Sequence, residues 1–191
     1  FGLGQSTGLE LGGSKGVLAG PTYRGTIQST EQWQPGMTWQ AAIGQSDHQL
    51  SPVQMAAYIA TLCNGGTRYS AHLLHSVYRF GSDTPSFVYE QNDGTVLGRI
   101  ELSQNDLHTV LEGMRAVVTS TSSVSRWMVN NSKIPVAVGG KTGTAQTGGD
   151  CDNALFVAAA PYNDPDVVIS VVLEKGYSGG LASLTAARIL E

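Results

Sequence analysis

The sequence predicts an α+β fold in which helices pack on an antiparallel sheet, and two observations predict it. Two helical patterns, each beginning at a capping serine, lie in the first two thirds of the chain, whereas the last sixty residues are rich in Val, Ile, Phe and Ala and contain a hairpin turn at 163–166. A chain that orders its elements in this way packs helices against a sheet. The length of 191 residues suits a single domain.

The first 45 residues read as an ordered loop, because glycines recur there and the apolar residues fit neither helical nor strand spacing. A helix is predicted to begin at Ser51, which with Pro52 and Gln54 forms a capping box, and to stop at 64–66, Asn-Gly-Gly. We expect it to bury one stripe of mostly small residues: Val53, Ala56, Ala57, Ala60 and Cys63.

Two short strands, 73–80 and 86–90, are predicted around a turn at 81–85. A second helix follows Leu102 and the cap Ser103, with an apolar stripe at Leu107, Val110, Leu111, Met114, Val117 and Val118. After this helix, the Ser/Thr-rich residues 119–125 are predicted to be mobile, and 127–128, Trp-Met, to attach the far end of that segment to the body of the domain.

Three strands are predicted in the last sixty residues: 134–138, 154–160 and 167–174, the last two joined as the hairpin. A C-terminal helix is predicted over 181–190, with an apolar stripe at Leu181, Leu184, Ala187 or Arg188, and Leu190.

Composition excludes several function classes. The net charge is −4 and only 14% of the residues are charged, so nucleic-acid binding is not expected. No apolar run reaches the 18 or more residues that a membrane span needs. Cys63 and Cys151 lack metal or disulfide-framework spacing, and the four histidines show no ligand motif, so no metal and no cofactor is expected. We interpret Cys63 as a core residue and Cys151 as a bystander thiol near a cleft mouth.

The most informative string is Gly-Gly-Lys-Thr-Gly-Thr-Ala-Gln at 139–146. It is not a phosphate loop, because Pro135 stands where the first glycine is required. The alternative is an edge strand that directs Lys141 and Gly143 to one face and Thr142 and Thr144 to the other. A lysine on an edge strand can also serve only to discourage aggregation. Lys-Thr-Gly is, however, the combination that penicillin-recognising serine enzymes place beside their nucleophile.

Several strings, in order, resemble class B penicillin-binding proteins, the bacterial D,D-transpeptidases of peptidoglycan synthesis. They are FGLGQSTGL at 1–9, AIGQ at 42–45, LSPVQMA at 50–56, NGG at 64–66, GM at 113–114, KTGTAQ at 141–146 and ALFV at 154–157. The resemblance covers residues 1–191 and implies the C-terminal, KTG-containing portion of a transpeptidase domain with a partial penicillin-binding, serine β-lactamase-like fold. One departure is Ser46, which stands where the family usually has the second glycine of IGQG.

The resemblance implies roles for four residues. Lys141 and Thr144 would be catalytic: Lys141 as a cationic donor near the substrate carboxylate, and Thr144 through a backbone N–H in the oxyanion hole. Thr142, Gly143 and Thr144 would bind substrate, the two hydroxyls at its carboxylate and the bare glycine allowing a peptide to lie antiparallel to the strand. The implied partners are peptidoglycan stem peptides, β-lactam antibiotics and, through the parent protein, cell-division or elongation proteins.

The family's S-x-x-K nucleophile motif is absent from the sequence, and the nearest S-x-N match, at 103–105, is the predicted cap of the second helix. We therefore expect both elements upstream of Phe1, together with an anchor that holds the parent protein at the extracytoplasmic face of the membrane. The fragment alone is predicted to be inactive. A second hypothesis stays open: a degenerate or sensor-type penicillin-binding module that binds without turnover.

Overall fold

A computed structural model describes residues 1–26, 32–81, 87–90, 94–120 and 133–191. Its helices are α1 (Pro21–Thr26), α2 (Pro35–Ala42), α3 (Pro52–Cys63), α4 (Gln104–Thr119) and α5 (Gly179–Leu190). Its strands are β1 (Thr67–Tyr69), β2 (Ser76–Tyr78), β3 (Phe87–Glu90), β4 (Val96–Arg99), β5 (Gly139–Ala145), β6 (Asn153–Ala160) and β7 (Val167–Leu173).

The main sheet is antiparallel with the order β5-β6-β7 and has helices on both faces. On one face, Phe156 of β6 packs with Ala182 and Ala186 of α5. On the other face, Val157 packs with a cluster from α3 and α4: Ile59, Leu62, Leu111 and Met114. Neighbouring residues of β6 thus supply two separate cores, as strand alternation requires. The predicted α+β class, helices on an antiparallel sheet, is confirmed.

Both capped helices begin where the sequence predicts. The Ser51 hydroxyl accepts the Gln54 N–H, and the Gln54 side chain accepts the Ser51 N–H, which completes the capping box. The Ser103 hydroxyl accepts the N–H of Asp106, so the S-x-N match at 103–105 is a helix cap. Helix α3 ends at Cys63, directly before the predicted stop.

The predicted buried stripe of α3 is wrong in part. Val53 is 40% exposed, whereas Ile59 and Leu62 are buried. The helix turns its larger side chains inward because they remove more apolar area from water than alanines do. Cys63 does pack against this core, as predicted, and burial raises the pKa of its thiol.

The predicted stripe of the C-terminal helix is also wrong in part. Leu181 is exposed, and the small residues Ala182, Ser183 and Ala186 are fully buried in its place, beside Ala187. Helix α5 approaches the sheet closely, and only small side chains fit between them. In α4, by contrast, the predicted Leu111, Met114 and Val118 are buried, although Val110 is exposed.

Several strand and loop predictions need correction. Residues 134–138 form no strand, because Pro135 has no N–H for a ladder, and the strand begins at Gly139. The predicted strands 73–80 and 86–90 exist as the shorter antiparallel pair β2 and β3, and residues 82–85 of the predicted turn lie outside the described residues. The N-terminal loop contains α1 and α2, each of which begins at a proline, a helix-start signal. Of the predicted mobile segment 119–125, Thr119 is the last residue of α4 and Ser120 is its C-cap, whereas 121–125, like 127–128, lie outside the described residues.

Candidate active site

The Lys-Thr-Gly string lies in the middle of β5. This strand pairs antiparallel with β6 along its whole length, with Lys141 opposite Val157 and Gly143 opposite Leu155. In the described part of the chain, no strand pairs with the other side of β5. The string therefore occupies an edge strand, as predicted, with one side open for another chain to add.

The two faces of β5 meet different helices. A β-carbon added at Gly139 would lie 3.4 Å from the Met114 β-carbon of α4, and one added at Gly179 of α5 would lie 2.9 Å from the Thr142 β-carbon. By alternation, Lys141 and Gly143 face the α3 and α4 side, while Thr142 and Thr144 face the α5 side. The predicted division of these four residues between two faces is confirmed.

The four predicted residues differ in exposure. Lys141 and Thr144 are exposed, whereas Thr142 and Gly143 are half-buried. The Lys141 ammonium donates a hydrogen bond of 2.6 Å to the carbonyl oxygen of Thr142. The chain therefore holds one cation directly over the open edge, next to the residues predicted to bind a carboxylate.

Gln45 is a member of this site that the residue-by-residue prediction missed. Its side-chain amide donates a hydrogen bond of 3.1 Å to the carbonyl oxygen of Thr144, which is 99 residues away in sequence. The string AIGQ at 42–45 is adjacent to α2, so the structure brings that string and the Lys-Thr-Gly string together. The signal available in the sequence was that Gln45 belongs to one of the strings that carry the resemblance.

The loop from 44 to 48 that carries Gln45 has unusual backbone geometry. Gly44 has φ 82° and Ser46 has φ 68°, so residues with left-handed backbone flank Gln45 on both sides. Only glycine adopts this conformation without steric cost, and Ser46 adopts it although it is not glycine. Ser46 therefore adopts a left-handed conformation that carries a steric cost for any residue other than glycine.

Side chains on both sides fix this loop. The Arg24 guanidinium contacts both carboxylate oxygens of Asp47, at 2.8 and 3.1 Å. His48 accepts the Ala19 N–H at Nδ1, which leaves Nε2 to donate to the Ala41 carbonyl oxygen. The loop is therefore held to α1, to α2 and to the segment before α1, independently of the Gln45 contact.

Two further features bear on function: the second cysteine thiol and the residue types that could bind a metal ion. Cys151 is half-buried in the connection between β5 and β6, where its carbonyl accepts the Thr147 hydroxyl. Across the described ranges, no group of three or more His, Cys, Asp or Glu side chains could hold a metal ion. Nor is any helix of those ranges long and apolar enough to cross a membrane.

Comparison with known proteins assigns the family. The family model of the penicillin binding protein transpeptidase domain matches residues 1–191. Penicillin-binding protein H of Bacillus subtilis (strain 168) is 32% identical over 184 residues, which are 91% of this chain and 24% of that protein. Peptidoglycan D,D-transpeptidase MrdA of Acinetobacter baumannii is 27% identical over 208 residues, covering 100% of this chain and 29% of that protein.

The fold agrees with solved structures. The crystal structure of Pseudomonas aeruginosa PBP2 in complex with WCK 5153 superposes with a TM-score of 0.78 at 28% identity, covering 100% of this chain and 42% of that one. The chain spans about a quarter of the length of the curated relatives that it matches. The partial penicillin-binding fold that the sequence predicts is thus the one observed, and the chain belongs to the penicillin-binding protein transpeptidase domain family.

Proposed function

We propose that this chain is the Lys-Thr-Gly-bearing part of a serine D,D-transpeptidase that cross-links peptidoglycan stem peptides. The observation that carries the proposal is the edge of β5, where Lys141 and Thr144 are exposed and no strand of the described residues pairs on the side away from β6. The family assignment supports the same reaction, since one relative is named for it.

The chemistry is acyl transfer in two steps. A serine Oγ, whose proton passes to a neighbouring base, attacks the carbonyl carbon of a terminal D-Ala-D-Ala peptide bond. That bond breaks, D-alanine leaves with a proton on its amine, and an ester to serine remains. The amine of a second stem peptide then attacks the ester carbonyl, which forms the cross-link and frees the serine.

Each residue of the edge has a role in this scheme. The Lys141 ammonium attracts the terminal carboxylate of the donor peptide, and the hydroxyls of Thr142 and Thr144 hydrogen-bond to it. The Thr144 N–H donates to the carbonyl oxygen as it gains negative charge, a contribution worth about 3 kcal/mol of transition-state stabilisation. Gly143 leaves the strand surface bare for the peptide backbone.

The nucleophile is proposed to lie outside these residues, because no serine in the sequence has a lysine three positions later. The present chain by itself is then inactive. In the parent protein, the partners would be stem peptides, β-lactam antibiotics, and proteins of cell division or elongation. The site would face the extracytoplasmic side of a membrane to which the parent protein is anchored.

A second candidate is a degenerate or sensor-type module that binds penicillin without turnover. The two candidates make different predictions for the parent protein. The enzyme requires S-x-x-K and S-x-N elements before Phe1, whereas the degenerate module would lack them. A sensor would keep its acyl group and transfer none to an amine.

The test is intact-mass analysis and peptide mapping of the full-length protein after incubation with excess penicillin, with residues 1–191 treated in parallel. The proposal expects one adduct on a serine that precedes Phe1 and none on the short chain. An adduct on the short chain would place the nucleophile among its own serines. Absence of any adduct would favour the degenerate module, and a stable adduct with no transfer to an amine acceptor would favour the sensor.

A further inference from the structure

The hydrogen-bonding groups of β5 show which residues face the open edge. In an antiparallel strand, the N–H and C=O of one residue point to the same side, and the side alternates along the strand. The main-chain N–H and C=O of Thr144 point away from β6, because the carbonyl accepts a donor from Gln45, which lies outside the sheet. By alternation, the main-chain N–H and C=O of Thr142 point the same way, and this carbonyl accepts a hydrogen bond from the Lys141 ammonium.

Both carbonyls are therefore occupied by side chains of the protein itself. A peptide that adds to this edge needs the same carbonyls, because strand addition is built from main-chain hydrogen bonds. The Gln45 amide nitrogen lies 3.1 Å from the Thr144 oxygen, at the distance where the backbone nitrogen of an added strand would lie. The Gln45 amide and the N–H of an added strand are therefore both candidate donors to this one oxygen.

The rest of the loop does not depend on this contact. Asp47 and His48 hold the loop to α1 and α2 through bonds of their own. Gln45 lies between the left-handed residues Gly44 and Ser46, and its side chain reaches the Thr144 carbonyl of β5. The side chain can consequently leave Thr144 while the loop backbone stays in place.

We propose that Gln45 is a specificity-determining residue that acts as a displaceable donor: it occupies the Thr144 carbonyl until a ligand brings a backbone-like N–H of its own. This inference rests on the proposed function of the β5 edge. A ligand with that N–H replaces the hydrogen bond from Gln45 to the Thr144 carbonyl with one of its own. A ligand without it leaves Gln45 where it is, and its binding is independent of the Gln45 donor.

Two classes of β-lactam separate these cases. A penicillin carries an acylamino group whose N–H mimics a peptide, whereas a carbapenem carries a hydroxyalkyl group in the same place. The decisive variant is Gln45→Met, which keeps the length of the side chain and removes the donor. The matched control is Gln40→Met, which changes an exposed glutamine on α2.

The experiment measures the second-order rate constant of acylation of the full-length protein by benzylpenicillin and by imipenem. We expect Gln45→Met to raise the rate constant for benzylpenicillin about three- to tenfold, the equilibrium equivalent of one hydrogen bond no longer displaced. The rate constant for imipenem should stay within about twofold, and Gln40→Met should change neither.

The other outcomes overturn the inference. Equal losses with both ligands would make Gln45 a structural or positioning residue, and equal gains would indicate a general effect on the site. No change with either ligand would mean that the contact has no role in selection. In all three cases the protein is acylated and the proposed function stands, whereas a wild-type protein that neither ligand acylates overturns both proposals.

Discussion

Gly179 at the start of α5 lies directly against Gly143 in the middle of β5. A β-carbon at position 179 would lie 2.8 Å from the Gly143 carbonyl oxygen, 2.9 Å from the Thr142 β-carbon and 3.0 Å from the Leu155 carbonyl oxygen. The helix backbone thus touches the backbone of the Lys-Thr-Gly strand with no side chain between them. Helix α5 therefore sets the position of the proposed substrate edge by packing on one face of β5.

We therefore expect Gly179→Ala to lower the free energy of unfolding by about 1–3 kcal/mol, the range for overpacking against groups that cannot move away. The β5 strand would shift as well, so acylation of the full-length protein by penicillin should slow. Thermal unfolding and acylation kinetics check the two effects. Gly113→Ala is the control: a β-carbon there has open space within helix α4, so alanine should stabilise by about 0.5–1 kcal/mol. Equal stability changes at the two positions would contradict the packing argument.

Gln54 is expected to be the most sensitive polar residue outside the site. It is 2% exposed, and its side-chain amide donates to the carbonyl oxygens of Gln5 and Lys15, at 3.1 and 2.7 Å. Its own oxygen accepts the Ser51 N–H. Gln54→Met keeps the volume but removes these three part-buried hydrogen bonds, at a total cost of about 1–3 kcal/mol.

Urea unfolding measures the lost free energy of unfolding. The amide hydrogen-exchange rates of residues 1–17 should rise in the same variant. The matched control is Gln104→Met, at an exposed position in the first turn of α4, which we expect to stay within about 0.5 kcal/mol of wild type. A loss at position 54 no larger than at 104 would refute the role of Gln54 in fixing the N-terminal segment.

The hydrogen bonds between Glu10 and the segment at Leu73 and Leu74 are expected to depend on pH. The Glu10 carboxylate accepts the N–H groups of Leu73 and Leu74, and the bond from Leu73 contributes most to lowering the pKa of this carboxyl from its ordinary value of 4.5. Because the folded-state pKa is lowered, the contribution is fully present above pH 4.5 and is lost as the pH falls through the lowered pKa.

Hydrogen exchange of the Leu73 and Leu74 amides, corrected for the intrinsic pH dependence of exchange, tests this prediction. Their protection should be constant above pH 4.5 and decline in more acidic solution. In Glu10→Gln it should be lower and independent of pH, whereas Glu101→Gln, at an exposed residue, should behave as wild type. A pH-dependent decline that persists in Glu10→Gln would assign the effect to another group.

The two cysteines should differ in reactivity. Cys63 packs against the α3 and α4 core, and burial raises the pKa of its thiol, which lowers the fraction of reactive thiolate. Cys151 lies in the connection between β5 and β6, outside the buried clusters. Iodoacetamide at neutral pH should label Cys151 first, as followed by peptide mass, with Cys151→Ser leaving only slow labelling. Faster labelling of Cys63 would contradict this order.

Local signals in the sequence were sufficient for the starts of the long helices. Ser51 and Ser103 act on N–H groups three residues away, so their role is visible in the sequence itself. The hairpin of β6 and β7 is local in the same sense, since the Asp166 N–H bonds to the Ala160 carbonyl oxygen across the turn.

Features that depend on distant packing could not be predicted in this way. The buried side of α3 depends on Ile59 and Leu62 packing against β6, and the buried side of α5 depends on the close approach at Gly179. Helical spacing in the sequence reveals neither contact. The pairing of β1 with β4 joins segments of three and four residues, too short for an alternating pattern. For the site, Lys141 to Thr144 could be identified from their string, but the contact of Gln45 with Thr144 depends on the folded chain.

The bond between Gln45 and Thr144 closes a loop of 99 residues, which bears on the order of folding. Local hairpins and capped helices form with little loss of chain entropy, whereas closing so long a loop is entropically costly and follows only after the intervening elements have packed. We expect the β5 edge to acquire its side-chain donor among the last events. During synthesis, Gln45 leaves the ribosome well before β5, and this edge would stay open to chance strand pairing until the elements between them have packed.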